Sequence, residues 1–135
     1  MIINYEIVGG YRINGESIRL PLTNNPPLEK IINYLSYFQD YDGTLTLSND
    51  QEENLKPYNM TLYSDNKRYL ILFATLMDDG DIEVRTFNDN SGSQEFISIL
   101  GEPYAKASTV TDFSLVIKVF KEFYQIGDVN RELLA

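Results

Sequence analysis

The chain contains no cysteine and no histidine. Without cysteine there are no disulfides, no thiol nucleophile and no Cys-based zinc site. Without histidine, whose ordinary pKa lies nearest neutrality, Ser-His-Asp and Cys-His catalysis, HExxH metallopeptidase chemistry and most zinc chemistry drop out. Only carboxylate-based mechanisms survive both absences. Long apolar runs are missing too, and none approaches the ~20 residues that span a bilayer. The opening MIINYEIVGG lacks the basic segment and apolar stretch of a secretory signal. The expectation is therefore a cytoplasmic protein with no membrane, metal or cofactor requirement. Bases are scarce: 11 Lys and Arg stand against 20 Asp and Glu, for a net charge of −9. Direct nucleic-acid binding is disfavoured, because gripping phosphate takes Lys and Arg.

What is present argues for a folded domain. Of 135 residues, 43 % are hydrophobic and 13 % aromatic, too many for a disordered acidic tail and enough for one domain over 1–135 with its own core. A first strand is expected over Ile2–Val8, ended by Gly9-Gly10. YRINGESIRL then places Asn14-Gly15 between two short runs, the pair favoured by tight hairpin turns. Pro21 and the NNPP cluster end that segment and open a helix over about 26–40, with Asn25 as N-cap and Glu29 in the first turn. Leu28, Ile31, Ile32, Leu35 and Phe38 form its apolar face, with Tyr34, Tyr37 and Tyr41 alongside, their hydroxyls directed to water.

GTLTLSN (43–49) alternates as a half-buried strand, 50–57 reads as polar loop, and 59–64, 68–77 and 81–87 form an antiparallel meander. The middle run is apolar on both faces through Ile71, Leu72, Phe73, Leu76 and Met77, so it should be central and covered. In DIEVRTF, alternation turns Ile82, Val84 and Thr86 inward and Asp81, Glu83 and Arg85 outward. A short strand at 95–100 precedes the irregular GEPYAKASTV. Thr111 or Asp112 caps a second helix over about 112–126, whose stripe is Val116, Val119, Phe120 and Phe123 and which stops at Gly127. About six strands and two amphipathic helices, without βαβ alternation, predict an α+β domain on an antiparallel sheet.

Several stretches suggest chemistry. NDNSG (88–92) and DDGD (78–81) are rich in calcium-type ligands, yet neither has the spacing or flanking helices of an EF-hand, and turn chemistry explains both. A carboxylate-pair hydrolase needs two acids in a cleft, one with a raised pKa, and every acid here falls in a loop, turn or solvent-facing pattern. Gly9-Gly10 is no phosphate cradle, because no GxxxxGK[ST] and no following helix accompany it.

The acids are the strongest signal. Between 38 and 55 stand Asp40, Asp42, Asp50, Glu52 and Glu53 with no base, a charge of −5. Between 78 and 100, Asp78, Asp79, Asp81, Glu83, Asp89 and Glu95 outweigh Arg85, again by −5. Solvation and edge-strand protection are the plain reading of such charge. Its segregation into two blocks points instead to a surface for a basic protein, with Asp40, Asp42, Asp50, Glu52, Glu53, Asp78, Asp79, Asp81 and Glu83 as the candidate partner-binding residues.

The run TDFSLVIKVFKEFYQIGDVNRELL and the meander YLILFATLMDDGDIEVRTFND resemble the C-terminal part of small α+β immunity proteins of bacterial toxin–immunity systems, as in contact-dependent growth inhibition. The likeness spans roughly residues 43–134. It implies a non-enzymatic cytoplasmic toxin inhibitor whose partner is a cognate toxin, often a nuclease with a basic active face. Two other readings stay open: a carboxylate-dependent hydrolase, and an acidic adaptor domain without a toxin partner.

Overall fold

The computed structural model describes residues 4–49, 57–89 and 91–135. The chain is an α+β domain in which both helices cover one face of an antiparallel sheet. Strands β1 (Tyr5–Ile13) and β2 (Glu16–Asn24) form a hairpin through Asn14 (φ 52) and Gly15 (φ 79). Helix α1 (Leu28–Phe38) leads to β3 (Asp42–Asn49), which returns beside β1. Then follow β4 (Pro57–Asp65), β5 (Arg68–Leu76) and β6 (Ile82–Arg85), giving the order β2-β1-β3-β4-β5-β6. A separate hairpin, β7 (Phe96–Ile99) and β8 (Glu102–Ala105), precedes the two-residue β9 (Thr109–Val110) and helix α2 (Phe113–Ile126). The outer edge of β5 is shared, with β9 on Tyr69–Leu70 and β6 on Phe73–Leu76.

The first hairpin corrects two expectations. Gly9-Gly10 does not end β1, which runs through both glycines to Ile13. A Cβ on Gly9 would lie 2.4 Å from the Thr44 carbonyl oxygen, and one on Gly10 2.8 Å from that of Ile18. The pair permits close strand approach at a bulge rather than a break. Pro21 likewise sits inside β2, tolerated because β2 is an edge strand. Asn25 is not the N-cap of α1, where Pro27 stands without a side-chain cap. Asn25 adopts φ 51 and clasps the start of β1: its N–H donates to the Tyr5 carbonyl at 2.6 Å, and its Oδ1 accepts from the Tyr5 N–H at 3.0 Å.

The core lies between sheet and helices. Ile7, Leu45, Leu47, Met60, Leu62, Ile71 and Phe73 meet Ile31, Leu35 and Phe38 of α1 and Val116, Val119, Phe120 and Phe123 of α2. Phe73 and Phe123 pack edge to face at 5.1 Å. Tyr34 belongs to this core, not to a wet flank, since it is buried and its hydroxyl donates to the Pro21 carbonyl at 2.8 Å. Tyr37 and Tyr41 both stack on Tyr11, at 4.8 and 5.3 Å. Of the two candidate caps for α2, Asp112 serves. Its carboxylate accepts from the Ser114 N–H and hydroxyl, which hold its pKa below the usual value. Gly127 (φ 76) ends the helix in the left-handed region, its N–H donating to the Phe123 carbonyl at 2.8 Å.

GEPYAKASTV is not irregular: it supplies β8, a single 3-10 turn and β9. The β7–β8 hairpin lies on the sheet face away from the helices, at the β4–β5 turn. There Tyr63 meets Tyr104 at 6.3 Å, and Asp65 Oδ2 accepts from the Leu100 N–H at 2.8 Å. β5 is covered on both faces at that end, where Leu70 is wholly buried, but not at the other, where Leu76 is half-buried and Met77 exposed. Among the described residues no helix is long and apolar enough to cross a membrane.

Candidate functional site

The open end of β5 runs into the turn that carries most of the second acidic block. Gly80 (φ 88) closes it, with the Met77 N–H donating to the Asp81 carbonyl at 2.8 Å and the Gly80 N–H to Met77 at 3.0 Å. Asp79 is part of that construction, because its Oδ1 accepts from the Asp81 N–H at 2.9 Å. Asp78 and Asp81 are different. Both are exposed, and among the described residues no base or donor engages either carboxylate.

β6 then faces the opposite way to the expected one. Ile82 and Val84 point to solvent, 56 % and 54 % exposed, whereas Arg85 is 3 % exposed and Glu83 half-buried. The register agrees: Arg85 lies opposite Phe73 and Glu83 opposite Thr75 on the helix side, with Val84 opposite Ala74 and Ile82 opposite Leu76 on the other. The cause comes from the far end of the chain. Arg85 Nη2 donates to Asp128 Oδ1 at 2.7 Å, Nη1 donates to the Val129 carbonyl at 3.3 Å, and the guanidinium lies 4.9 Å from the Phe73 ring centre. Glu83 pairs with Arg131 at 2.8 Å, and Thr86 and Ala135 exchange backbone hydrogen bonds. The segment after α2 thus holds the polar side of β6 inward, where local alternation placed Ile82 and Val84. Only Gly127-Asp128-Val129, as an acid source beside a helix end, hinted at this.

The result is a compact feature. A strip of exposed Ile82 and Val84, continued by half-buried Leu76 and Ala74, is bordered by the turn that carries Asp78, Asp79 and Asp81.

Of the first acidic block, Asp40 and Asp42 do not join it. Asp40 pairs with Lys67 at 3.6 Å, and Asp42 Oδ1 accepts from the Asn66 N–H at 2.8 Å. Both sit at the β4–β5 turn, the opposite end of nine-residue β5 and roughly 27 Å away at a strand's rise per residue. Asp50, Glu52 and Glu53 lie outside the described residues. The remaining acids of the second block are engaged locally. Asp89 accepts from the Ser91 N–H at 2.8 Å, and its pKa is lowered by Ser91, while Glu95 pairs with Lys106 at 3.3 Å. The Asp89–Ser91–Ser93–Glu95 succession of side-chain-to-backbone bonds is turn chemistry.

Among the described residues no group of three or more acids could hold a metal ion. A cleft of about 420 Å³ opens between Asn4, Asn24, Asn25 and Asn49, and a shallower hollow of about 380 Å³ lies over Gly10 between Arg12 and Arg19. Neither brings two carboxylates together at an apolar wall, which a glycosidase-type pair requires.

Residues 4–133 match a family of unknown function, DUF6911. The fold is similar to the crystal structure of a hypothetical protein from Neisseria gonorrhoeae, with a TM-score of 0.75 and 29 % identity over 88 % of this chain and 86 % of that one. No protein of curated function matches the chain.

Proposed function

The chain belongs to the DUF6911 family, a family of unknown function, and we propose that it is a protein-binding inhibitor: an immunity protein that captures a basic toxin domain, most simply a nuclease, in the cytoplasm. One observation carries this reading. Asp78 and Asp81 stand on a turn braced by three hydrogen bonds, so their charge is presented at fixed positions, and among the described residues no base pairs with either. An acid face suits a nuclease because the nuclease must itself be basic to hold phosphate. Complementary charge raises capture rates ~10- to 1,000-fold at low salt. The inhibitor needs no chemistry of its own and is catalytically inert.

The test sequences the adjacent genes and co-expresses the chain with the C-terminal domain of any large secreted polypeptide found there. Wild type is expected to restore growth and bind that domain with a salt-dependent on-rate. An Asp78→Lys, Asp81→Lys variant should fold normally yet bind about tenfold more slowly at low salt. Growth arrest that wild type does not relieve would sink the reading. So would hydrolysis of a nucleotide, peptide or glycoside by the chain alone, abolished by one Asp or Glu substitution.

A further inference from the structure

Single exposed aliphatic residues are ordinary on protein surfaces. Ile82 and Val84 are not single: they share one face of one strand, and they continue into Leu76 and Ala74 across the ladder. Their exposure is also not forced by the strand, since a one-residue change of register would exchange them with Glu83 and Arg85. The fold instead spends the interior position on a cation held by Asp128, Val129 and the Phe73 ring.

We infer that the outer face of β6 is the centre of the partner interface: Ile82 and Val84, continued by Leu76 and Ala74, form its apolar core, Asp78 and Asp81 form its charged rim, and the occupant is a protein segment bearing an aliphatic or aromatic side chain flanked by Lys or Arg. This rests on the proposed capture of a basic partner and names the surface that performs it. The arrangement has the anatomy of interfaces in general, a desolvated apolar centre inside a polar rim. Charge decides the occupant. A second copy brings the same acids and a net charge of −9 to the approach, whereas a basic segment meets complementary charge at Asp78, Asp79 and Asp81. The turn geometry keeps the rim fixed relative to the core, because Asp79 and Gly80 lock the loop from which Asp78 and Asp81 project.

A phage-displayed library of random dodecapeptides, selected on the immobilised full chain, reads this surface without knowledge of the natural partner. Enriched peptides should carry an apolar residue within a few positions of two or more Lys or Arg. Their binding should fall about tenfold or more on an Ile82→Thr, Val84→Thr variant. It should fall less, and with reduced salt dependence, on an Asp78→Asn, Asp81→Asn variant that keeps the turn. Peptides without bases, binding that survives both variants, or no peptide that separates wild type from variants overturns the assignment. So does a concentration-dependent dimer in sedimentation that the Ile82→Thr, Val84→Thr variant abolishes, which would give the strip to a second copy. Toxin protection that is unchanged in the Ile82→Thr, Val84→Thr variant removes this surface and leaves the inhibitor function standing. Basic peptides selected here, with no protection by wild type, remove the function and leave the surface.

Discussion

The hairpins at the two margins of the sheet, β1–β2 and β5–β6, both turn on a glycine and settle their faces by different means. Each closes on a glycine at positive φ, Gly15 at 79° and Gly80 at 88°, preceded by Asn14 or Asp79. In β1–β2 most of the apolar residues face the helices: Ile7 and Leu20 are buried there and Tyr11 lies opposite Ile18 on the same side, while Leu22 is exposed. In β5–β6 the aliphatic pair faces water and a guanidinium takes the interior. Half-exposing Ile82 and Val84 forgoes about 2–3 kcal/mol of burial. Charge-assisted hydrogen bonds to Asp128 and Val129 contribute about 1.5–3 kcal/mol, and the contact with the Phe73 ring adds about 1 kcal/mol or more. The two sums are comparable, so a tie 43 residues along the chain is enough to set the register. Alternation predicts a strand's face where area is the only contest, and fails where a distant partner enters it.

The sharpest way to break that contrast is truncation in each hairpin. Ile7→Ala empties a fully buried site in β1 and should cost about 2–5 kcal/mol, whereas Val84→Ala on the outer face of β6 should stay within about 0.5 kcal/mol. Urea denaturation of the two variants measures both. Equal losses would mean that the outer face of β6 is covered by the chain itself.

Next in size is the tie that inverts β6. Among the described residues, Asp128→Ala leaves a 3 %-exposed Arg85 with the Val129 carbonyl and the Phe73 ring, and its Nε has no hydrogen-bond partner there. The expected loss is about 2–3 kcal/mol, below that of a fully buried pair because the Asp128 side chain is itself 56 % exposed. Adding Arg85→Met to Asp128→Ala should recover most of it, since an apolar chain of similar length replaces the orphaned charge. A double variant no more stable than Asp128→Ala alone would show that Arg85 does not act through this pair.

These cases locate what local pattern could and could not reveal. Both helices were legible from apolar spacing and from caps such as Asp112 and Gly127, because those signals lie within one or two turns of the residues they govern. The antiparallel meander was legible from alternation and turn residues. The role of Asn25 was not, because its partner is Tyr5, twenty residues earlier. Nor was the burial of Tyr34, whose hydroxyl donates to the Pro21 carbonyl on edge strand β2, thirteen residues earlier. The short β8 and β9 form only because the β7 strand and the outer edge of β5 are there to pair with them. Of the candidate acids, the grouping of Asp78, Asp79 and Asp81 was visible in sequence. The separation of Asp40 and Asp42 from them depends on which end of β5 each turn occupies, and the apolar centre beside them was hidden by the inverted register.

The smallest expected effect compares two ties on the same helix end, one from each hairpin's side. From β1, the Tyr5 hydroxyl donates to the Phe123 carbonyl at 2.7 Å; from β6, Arg85 holds Asp128 and Val129 just beyond Gly127. The first is neutral and can lose its proton, whereas the guanidinium stays charged at any accessible pH. Burial, and secondarily Tyr124, push the Tyr5 pKa from 10.0 up to about 12. A group that keeps its proton longer folded than unfolded stabilises fully below the unfolded value. That stabilisation then drains away as pH climbs through the folded one. Stability should therefore decline between pH 10 and about 12, and Tyr63 and Tyr69, whose pKa values are also raised chiefly by desolvation, add to the same slope. Tyr5→Phe should cost about 1 kcal/mol at neutral pH for the lost hydrogen bond and flatten the decline. Asp128→Ala should leave the slope as it is, because no proton leaves the Arg85 tie in that range. Denaturation midpoints at pH 8, 10 and 11 for the three proteins decide the matter. A Tyr5→Phe variant with the wild-type slope would place the alkaline sensitivity elsewhere, and would leave the charged tie from β6 as the principal hold on the end of α2.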